Sequence, residues 1–350
     1  MIRLLIVEDS ALMRQVLTQL FTDTGEYELR VCRNGKEALA ALPEFAPHVI
    51  TLDVGLPDTD GLTVLSHIMI ERPTPVVMLS SLTAKGTFAS LQALALGAIE
   101  CVEKPRSMAD TDDWKADVLA KVRLAAQAHV SAPRPSSRAP ARPIEPLPRV
   151  VSREPHRVVL IGVSTGGPRV LEDILPALPA HFPWPIVVAQ HMPATFTALF
   201  AQRMAGLCNL PVVEVTSLRA LENGVIYIAH GGGDLQLVSR PGGPMLLPMP
   251  QDTTRPWHPS VDALVESALK VFSAPQLVGV LLTGMGDDGA RAMKEIHRGG
   301  GLTIAESEQS AVVYGMPRAL IELGGATRIM PGWAIATALA EVAQTPLVTT

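Results

Sequence analysis

Residues 158–175, VVLIGVSTGGPRVLEDIL, decide the fold of the C-terminal half of the chain. The run 158–163 is almost wholly apolar, which predicts a buried strand, and the apolar spacing after Pro168 predicts a helix. A strand joined to a helix by a short glycine-containing loop is typical of a parallel α/β sheet. Ser164 lies in that loop, where its hydroxyl is a candidate helix cap, phosphate ligand or nucleophile.

The rest of the C-terminal half repeats this alternation of apolar runs with helical patterns. The alternation predicts a doubly wound, mostly parallel α/β domain that is larger than the one before it. Residues 232–249, GGDLQLVSRPGGPMLLPM, instead predict a β-hairpin whose turn is Pro241-Gly242-Gly243. The other predicted strands are PIVVAQH (185–191), VIYIAH (225–230), LVGVLLTG (277–284) and GLTIAE (301–306).

The N-terminal half predicts a flavodoxin-like (βα)5 parallel sheet. Residues 11–21 place apolar side chains on one helical face, and similar patterns separate five short apolar runs. In such a sheet the functional groups collect beyond the carboxyl ends of the strands. The predicted strands are RLLIV (3–7), YELRVC (27–32), HVITLD (48–53), PVVMLS (75–80) and IECVEK (99–104).

A proline-rich segment separates the two halves. Residues 131–156 hold seven prolines and almost no apolar periodicity, which is typical of an extended linker. We therefore predict a first domain over residues 1–123, a linker over 124–156 and a second domain over 157–346. A tether of this kind keeps two domains close without fixing one geometry between them.

The composition excludes several classes of protein. At 350 residues the chain is long enough for two domains, and its 47% hydrophobic and 18% charged residues argue against disorder. The net charge of -5 argues against a general nucleic-acid binder. Three widely separated cysteines support neither a disulfide framework nor a paired metal site. Because neither a secretory signal nor an apolar run of about 20 residues is present, we expect a cytoplasmic protein without membrane insertion.

Polar side chains follow four of the N-terminal strands. Glu8 and Asp9 follow the first strand, Asp53 ends the third, Ser80 ends the fourth, and Lys104 follows the fifth. Singly, each is better explained as a helix cap or a loop residue. Together, three carboxylates at one edge repel one another unless a cation lies among them, and their oxygens suit Mg²⁺. We predict that Asp53 attacks a phosphoryl group there, and that Lys104 and a serine hydroxyl bind the phosphate oxygens.

Four stretches of this half resemble the motifs of response-regulator receiver domains. The resemblance implies that Asp53 is the phosphoacceptor and that Glu8, Asp9 and Asp53 hold Mg²⁺. It further implies that Ser80 is the switch hydroxyl and Lys104 the phosphate-sensing lysine. The stretches are LLIVEDSALMR (4–14), VITLDVGLPDTDGL (49–62), PVVMLSSLT (75–83) and GAIECVEKP (97–105).

Ser164 has three competing interpretations. As a cap of the following helix, Ser164 or Thr165 would contribute about 1 kcal/mol. A nucleotide-binding turn is disfavoured, because the glycines do not follow the G-x-G-x-x-G order and no P-loop lysine follows them. The third interpretation is a nucleophile, since residues 162–166 fit G-x-S-x-G, His191 ends the next strand, and Asp287 and Asp288 follow another. A serine needs an imidazole as base and a carboxylate to orient that imidazole.

The order Ser, His, Asp differs from that of the α/β-hydrolases. Five motifs instead resemble the catalytic domain of the chemotaxis protein-glutamate methylesterases. The resemblance implies that Ser164 is the nucleophile, His191 the general base and Asp288 the orienting carboxylate, with Thr165 and Met285 as oxyanion or substrate contacts. The motifs are IGVSTGGP (161–168), QHMP (190–193), RPWHPSVD (255–262), LLTGMGDDG (281–289) and VYGMPRAL (313–320).

The same resemblance implies the reaction and its partners. We expect a phosphorylation-activated hydrolase that demethylates glutamate methyl esters, and deamidates glutamines, on chemoreceptors during adaptation. The phosphodonor is expected to be a chemotaxis histidine kinase, the receiver to need Mg²⁺ and the esterase no cofactor. The unphosphorylated receiver is expected to cover the catalytic edge. Two alternatives stay open: a non-catalytic binding module controlled by phosphorylation, and a related methylesterase in a pathway that does not control swimming.

Two further histidines have a plainer interpretation. His230 stands where this family usually has a proline, in YIAHGGGDLQL (227–237), and His258 lies within a predicted loop. We expect both to be solvated loop residues.

Overall fold

A computed structural model of the protein describes residues 1–80, 84–105, 111–128, 130 and 155–344, and for 84–87 the backbone alone. The chain divides into two units, Met1–Arg138 and Ala139–Thr350. Most of the predicted linker lies outside the described residues, so the boundaries proposed from the sequence stay predictions. Within the described parts, no helix combines the length and the apolar character needed to cross a bilayer.

The first unit alternates strands and helices throughout. Its five strands are all parallel and lie in the order β2-β1-β3-β4-β5, which is the flavodoxin-like order and confirms the prediction. The elements are β1 (Ile2–Val7), α1 (Ala11–Thr24), β2 (Tyr27–Cys32), α2 (Gly35–Phe45), β3 (Val49–Asp53), α3 (Gly61–Glu71), β4 (Val76–Ser80), α4 (Ala84–Leu96), β5 (Glu100–Glu103) and α5 (Asp112–Ala125).

The connections of this unit place the acidic residues at the carboxyl edge of the sheet. β1 ends at Val7, and the side chain of Ser10 caps α1 by accepting a hydrogen bond from the Met13 amide. Glu8 and Asp9 are therefore confined to a short loop between a buried strand and a fixed helix start. Strand β3, buried along its whole length, ends on Asp53 at the same edge.

The second unit contains a larger α/β sheet and a small antiparallel one. The elements are β6 (Val158–Val163), α6 (Gly167–Ile174), β7 (Ile186–Gln190), α7 (Ala194–Leu207), β8 (Val212–Val215), β9 (Arg219–Ala220), β10 (Ile226–Ala229), β11 (Asp234–Arg240), β12 (Gly243–Met249), α8 (Val261–Val271), β13 (Leu277–Leu281), α9 (Ala290–Arg298), β14 (Leu302–Glu306), α10 (Met316–Glu322), β15 (Arg328–Met330) and α11 (Gly332–Gln344). The helix predicted after Pro168 is present as α6.

The large sheet has seven parallel strands in the order β15-β14-β13-β6-β7-β10-β8. Helices α8, α9 and α10 pack together, and α6 packs with α7 and α11, so helices form two separate layers against the sheet. This is the predicted doubly wound fold. The chain leaves β6 toward β7 and later returns to β13 on the other side of β6. That reversal is a topological switch point, where α/β folds form ligand sites beyond the carboxyl ends of the strands.

The predicted hairpin forms from β11 and β12. These strands are antiparallel, with Arg240 opposite Gly243 across the turn, and β9 pairs with the outer side of β12. Strand β11 packs against α8, and the Leu237 amide donates a hydrogen bond of 3.0 Å to the Ser267 hydroxyl of that helix. The hairpin is thereby joined to α8, although it lies outside the large sheet.

Shortening a buried side chain in the core of the second unit should lower the stability of that unit. Leu160 on β6 is fully buried, whereas Leu218 is 48% exposed. We expect Leu160→Ala to lower the free energy of unfolding of this unit by about 2 to 5 kcal/mol, because it removes packed atoms and leaves a cavity. Leu218→Ala, the control, is expected to change it by about 0.5 kcal/mol or less. Urea unfolding measures both, and equal effects would contradict the assigned core.

Candidate functional site

Ser164 lies between the ends of two strands at the switch point. Its amide donates to the Thr283 carbonyl oxygen at 2.9 Å, and the Gln190 side-chain amide donates to its carbonyl oxygen at 3.0 Å. A Cβ added to Gly284 would lie 2.6 Å from the Ser164 Cβ, so only glycine fits beside the serine. The N-cap residue of α6 is Gly166, so neither Ser164 nor Thr165 occupies the cap position that the first interpretation gave to one of them.

His191 follows the neighbouring strand at the same edge. Val163 pairs with Gln190 in the register of β6 and β7, and the His191 amide donates to the Val163 carbonyl oxygen at 3.0 Å. The His191 Nε2 lies 2.8 Å from Asp288 Oδ2. Because an ionised carboxylate only accepts, Nε2 carries the proton and Nδ1 of the neutral ring has a lone pair. That Nδ1 is buried and has no hydrogen-bond partner among the residues that the structure describes.

Asp288 is held by the first turn of α8. The amide of Val261 donates to Oδ2 at 2.7 Å, and the amide of Asp262 and the Ser260 hydroxyl donate to Oδ1 at 3.0 and 3.2 Å. Burial by itself raises the pKa of Asp288, but the hydrogen bond and charge of His191 and these amides outweigh it and hold the pKa below its ordinary value. A helix N-terminus thus keeps the carboxylate anionic where it meets the imidazole.

An aromatic ring covers the imidazole. Trp257 stacks on His191, with ring centroids 6.1 Å apart and an angle of 3° between the planes. Gly286 has a φ of 83°, and a Cβ added there would lie 2.7 Å from the Trp257 ring. The glycine therefore lets the loop after β13 pass close to the ring that fixes the orientation of His191.

The remaining predicted contacts lie at the same edge. Thr165 is buried, and its carbonyl oxygen accepts from the Thr283 hydroxyl at 2.9 Å. Met285 is 46% exposed in the loop after β13. Asp287 points away from His191 and lies 3.6 Å from Arg291, so Asp288 alone of the two adjacent acids reaches the imidazole. The roles of Thr165 and Met285 stay predictions.

Sequence reasoning misjudged one of the two further histidines, His258, and missed the carboxylates that both of them contact. His230 is 37% exposed and follows β10 in a loop, which agrees with the prediction. His258 is only 14% exposed, and its Nδ1 lies 3.0 Å from buried Asp234, so the interpretation as a solvated loop residue is wrong. His230 Nδ1 lies 2.8 Å from Glu214, which also accepts from the Thr197 hydroxyl at 2.6 Å. Both carboxylates lie far from their histidines along the chain, and apolar periodicity carries no signal for such pairs.

The acidic cluster forms in the first unit. Ligand oxygens of Glu8, Asp9 and Asp53 all lie within 4.8 Å of one another, with Glu8 and Asp53 buried and Asp9 exposed. The Lys104 Nζ lies 2.8 Å from Glu8 and 2.7 Å from Asp53. Burial raises the pKa of Glu8 to about 7, opposed by the charge of Lys104 and supported by the charge of Asp53. The ammonium therefore partly neutralises the carboxylates that were predicted to share a cation.

The predicted phosphoacceptor and switch residues are neighbours in this cluster. The Lys104 amide donates to the Ser80 carbonyl oxygen at 2.7 Å, which joins the ends of β4 and β5 beside Asp53. The Gly55 amide donates to Asp53 Oδ1 at 3.2 Å. Three converging carboxylates, one of them exposed, match the hard oxygen ligands and open water positions of Mg²⁺. The donor set thus fits the predicted ion.

Two protein families match the two units. The model of the CheB methylesterase family matches residues 159–339, and that of the response regulator receiver domain matches residues 4–113. The solved catalytic domain of the Thermotoga maritima CheB methylesterase is 38% identical, with a TM-score of 0.51, and covers 53% of this chain and 98% of its own.

Relatives match over nearly the whole chain. A protein-glutamate methylesterase/protein-glutamine glutaminase of Rhodopseudomonas palustris is 46% identical over 97% of this chain and 98% of its own. Another, of Rhodospirillum rubrum, is 48% identical over 96% of this chain and 95% of its own. The chain therefore belongs to the CheB methylesterase family and carries a receiver domain. The predicted class, a response regulator that is a carboxylic ester hydrolase, is confirmed.

The ion pairs of Lys104 predict a pH-dependent stability. Since the raised pKa leaves Glu8 neutral below about pH 7 and charged above it, the ammonium matters more at high pH. In metal-free buffer, we expect Lys104→Met to lower the free energy of unfolding of the receiver by about 3 kcal/mol at pH 8 and by less at pH 5.5. The control Lys115→Met breaks an exposed pair and should cost about 0.5 kcal/mol at most. A Lys104→Met cost that is equal at both pH values would refute this assignment.

Proposed function

We propose that the protein is a phosphorylation-activated serine hydrolase that demethylates glutamate methyl esters, and deamidates glutamines, on chemoreceptors. The observation that carries the proposal is the buried His191–Asp288 pair, with Nε2 and Oδ2 at 2.8 Å and with Nδ1 making no hydrogen bond among the described residues. Relatives over the full length are named for both activities. A non-catalytic binding module has no use for an imidazole oriented in this way.

In the proposed reaction Ser164 is the nucleophile and His191 the base. The Ser164 hydroxyl attacks the ester carbonyl carbon, and His191 Nδ1 takes the hydroxyl proton. The tetrahedral intermediate collapses with breakage of the bond to the methoxy oxygen, which takes that proton and leaves as methanol. Water then attacks the acyl-enzyme in the same way, giving the glutamate carboxylate and restoring the serine.

Asp288 orients the base and compensates its charge. The carboxylate keeps the ring proton on Nε2, so that Nδ1 is the basic nitrogen, and it stabilises the imidazolium formed during attack. The amides of α8 hold Asp288 anionic, so the ion needed in the transition state is in place before substrate binds.

The loop after β13 supplies the candidate oxyanion contact. We assign the Met285 amide and Thr165 to the carbonyl oxygen or to nearby substrate atoms; each such donor is worth roughly 10² to 10³ in rate. With a glutamine substrate the same steps release ammonia in place of methanol. No group besides these side chains is needed for the ester reaction.

The receiver carries the proposed control. Mg²⁺ bound by Glu8, Asp9 and Asp53 would neutralise the incoming phosphoryl group. Asp53 accepts that group from a chemotaxis histidine kinase, while Lys104 and the Ser80 hydroxyl bind its oxygens. Acylphosphate formation at Asp53 then raises esterase activity. A protein that acts on chemoreceptors and receives phosphoryl groups from a chemotaxis histidine kinase would work in the cytoplasm. The proposed function involves neither nucleic-acid binding nor insertion into the membrane.

The nucleophile assignment predicts loss of methanol release. With methylated receptor membranes, we expect Ser164→Ala to reduce release to background, and Asp288→Asn to lower kcat by about 10³ to 10⁴ because the ring proton moves to the wrong nitrogen. Ser239→Ala, on the exposed end of β11, is the matched control and should retain wild-type activity. Equal rates for wild type and Ser164→Ala would remove the serine mechanism and favour the binding module.

The control by phosphorylation has its own test. A small-molecule phosphodonor with Mg²⁺ should accelerate methanol release by the wild type and leave Asp53→Asn unchanged, because an amide cannot form the acylphosphate. A chain shortened to residues 157–350 should exceed the basal rate of the unphosphorylated full chain. Stimulation of Asp53→Asn equal to that of the wild type would sink the assignment of the phosphoacceptor.

A further inference from the structure

Asp234 is a buried carboxylate outside the proposed catalytic set. It is the first residue of β11 and 4% exposed. Its Oδ1 accepts from the Ser260 amide at 2.7 Å and from His258 Nδ1 at 3.0 Å, and its Oδ2 accepts from the Asp252 amide at 3.2 Å. One side chain thus binds both ends of the segment 252–260.

That segment leads directly into the groups that hold the catalytic carboxylate. Ser260 caps α8: its hydroxyl accepts from the Ala263 amide at 3.2 Å and donates to Asp288 Oδ1 at 3.2 Å. The next two amides, of Val261 and Asp262, are the donors to Asp288. The position of Ser260 therefore sets the position of every α8 contact to Asp288.

The same segment carries the ring that covers the imidazole. Trp257 stacks on His191, and its neighbour His258 is bonded to Asp234. Displacement of the segment would alter both sides of His191 at once, its stacked face and its hydrogen-bonded Nε2.

We propose that Asp234 is a positioning residue for the hydrolysis, which acts by fixing segment 252–260 so that the first turn of α8 and Trp257 hold the His191–Asp288 pair in its reactive geometry. The inference rests on the proposed function, because it concerns the efficiency of that reaction. Asp234 touches neither His191 nor Asp288; its effect passes through Ser260 and Trp257.

The chemistry of the site explains why a carboxylate is needed. Three donors converge on Asp234, and only an ionised carboxylate offers acceptors on both oxygens. Asparagine would keep one oxygen for the Ser260 amide but would turn an NH2 group toward the Asp252 amide, so two donors would face each other. Alanine would leave all three donors without this acceptor.

Other charged groups lie within the segment and beside it. Arg255 lies 2.8 Å from Glu266 and 3.5 Å from Asp252. Burial raises the pKa of Asp262 to about 6, supported by the nearby charges of Asp288 and Glu266. Asp252 and Arg255 belong to the segment itself and Asp262 and Glu266 belong to α8, whereas Asp234 belongs to β11.

The test compares full-length wild type, Asp234→Ala, Asp234→Asn and Ser267→Ala on methylated receptor membranes. Ser267 is the matched control: its buried hydroxyl also links β11 to α8, through the Leu237 amide at 3.0 Å, but makes no contact with segment 252–260. Activities are normalised to the folded fraction from urea unfolding. The measurements are kcat, KM and the dependence of kcat/KM on pH.

We expect Asp234→Ala to lower kcat by about tenfold or more while KM changes by less than about threefold. The acid limb of kcat/KM should move to lower pH by about half a unit, because a displaced Asp288 stabilises the imidazolium less. Asp234→Asn should fall between alanine and wild type. Ser267→Ala should retain the wild-type midpoint and a kcat within about twofold, even if it unfolds more easily.

A wild-type midpoint in Asp234→Ala, with kcat reduced only in proportion to the folded fraction, would overturn the proposal. A readout without substrate separates this from failure of the proposed function. The proton that His191 donates to Asp288 gives a low-field NMR resonance, which should shift or vanish in Asp234→Asn and persist in Ser267→Ala and Ser164→Ala. An unshifted resonance in Asp234→Asn overturns the proposal, whether or not methanol is released.

Discussion

The structure of the catalytic unit depends on one constraint: a carboxylate must remain charged while buried beside an imidazole. Burial of an isolated carboxylate is costly, and several preorganised donors are needed to offset it. Asp288 has four, from His191, Ser260, Val261 and Asp262. Three of them come from the start of one helix. The position of α8 therefore determines the geometry of the His191–Asp288 pair.

The residues around this buried carboxylate come from distant parts of the chain. The switch point next to β6 brings Ser164, His191 and the loop after β13 to one edge. Glycines at 284 and 286 allow that loop to pass against Ser164 and Trp257. The hairpin β11–β12 lies outside the large sheet, yet its residue Asp234 accepts a hydrogen bond from the Ser260 amide at the start of α8. The part of the molecule with the least obvious link to catalysis thus supports its central ion pair.

The receiver also buries carboxylates beside a compensating positive group. There, buried Glu8 and Asp53 meet the ammonium of Lys104 rather than helix amides. Lysine carries a point charge on a flexible stem, which suits a site that is proposed to admit a cation and a phosphoryl group. Fixed amides suit Asp288, because the role proposed for it does not change during the reaction.

The sequence predicted the five strands of the first sheet and five of the seven strands of the large sheet, but not its edge strands β8 and β15. It placed the predicted site residues at or just beyond strand ends. It did so because apolar periodicity and glycine-containing junctions report strands and helices, and parallel strands bring their carboxyl ends together. It did not predict the pairing of His258 with Asp234, or which nitrogen of His191 meets Asp288. Those features depend on side-chain directions in an aperiodic loop, which only the folded chain defines. Ser260 lies within the motif RPWHPSVD, but the spacing of that motif does not indicate that Ser260 donates a hydrogen bond to Asp288.

The most direct test of this account is the ¹⁵N NMR spectrum of His191 in the resting enzyme, recorded with its ring neutral. The account predicts a protonated Nε2 and an unprotonated Nδ1, with the Nε2 proton coupled to Asp288 and lost from its low-field position in Asp288→Asn. A neutral ring protonated at Nδ1 would contradict it, because the nitrogen assigned to receive the serine proton would already carry one.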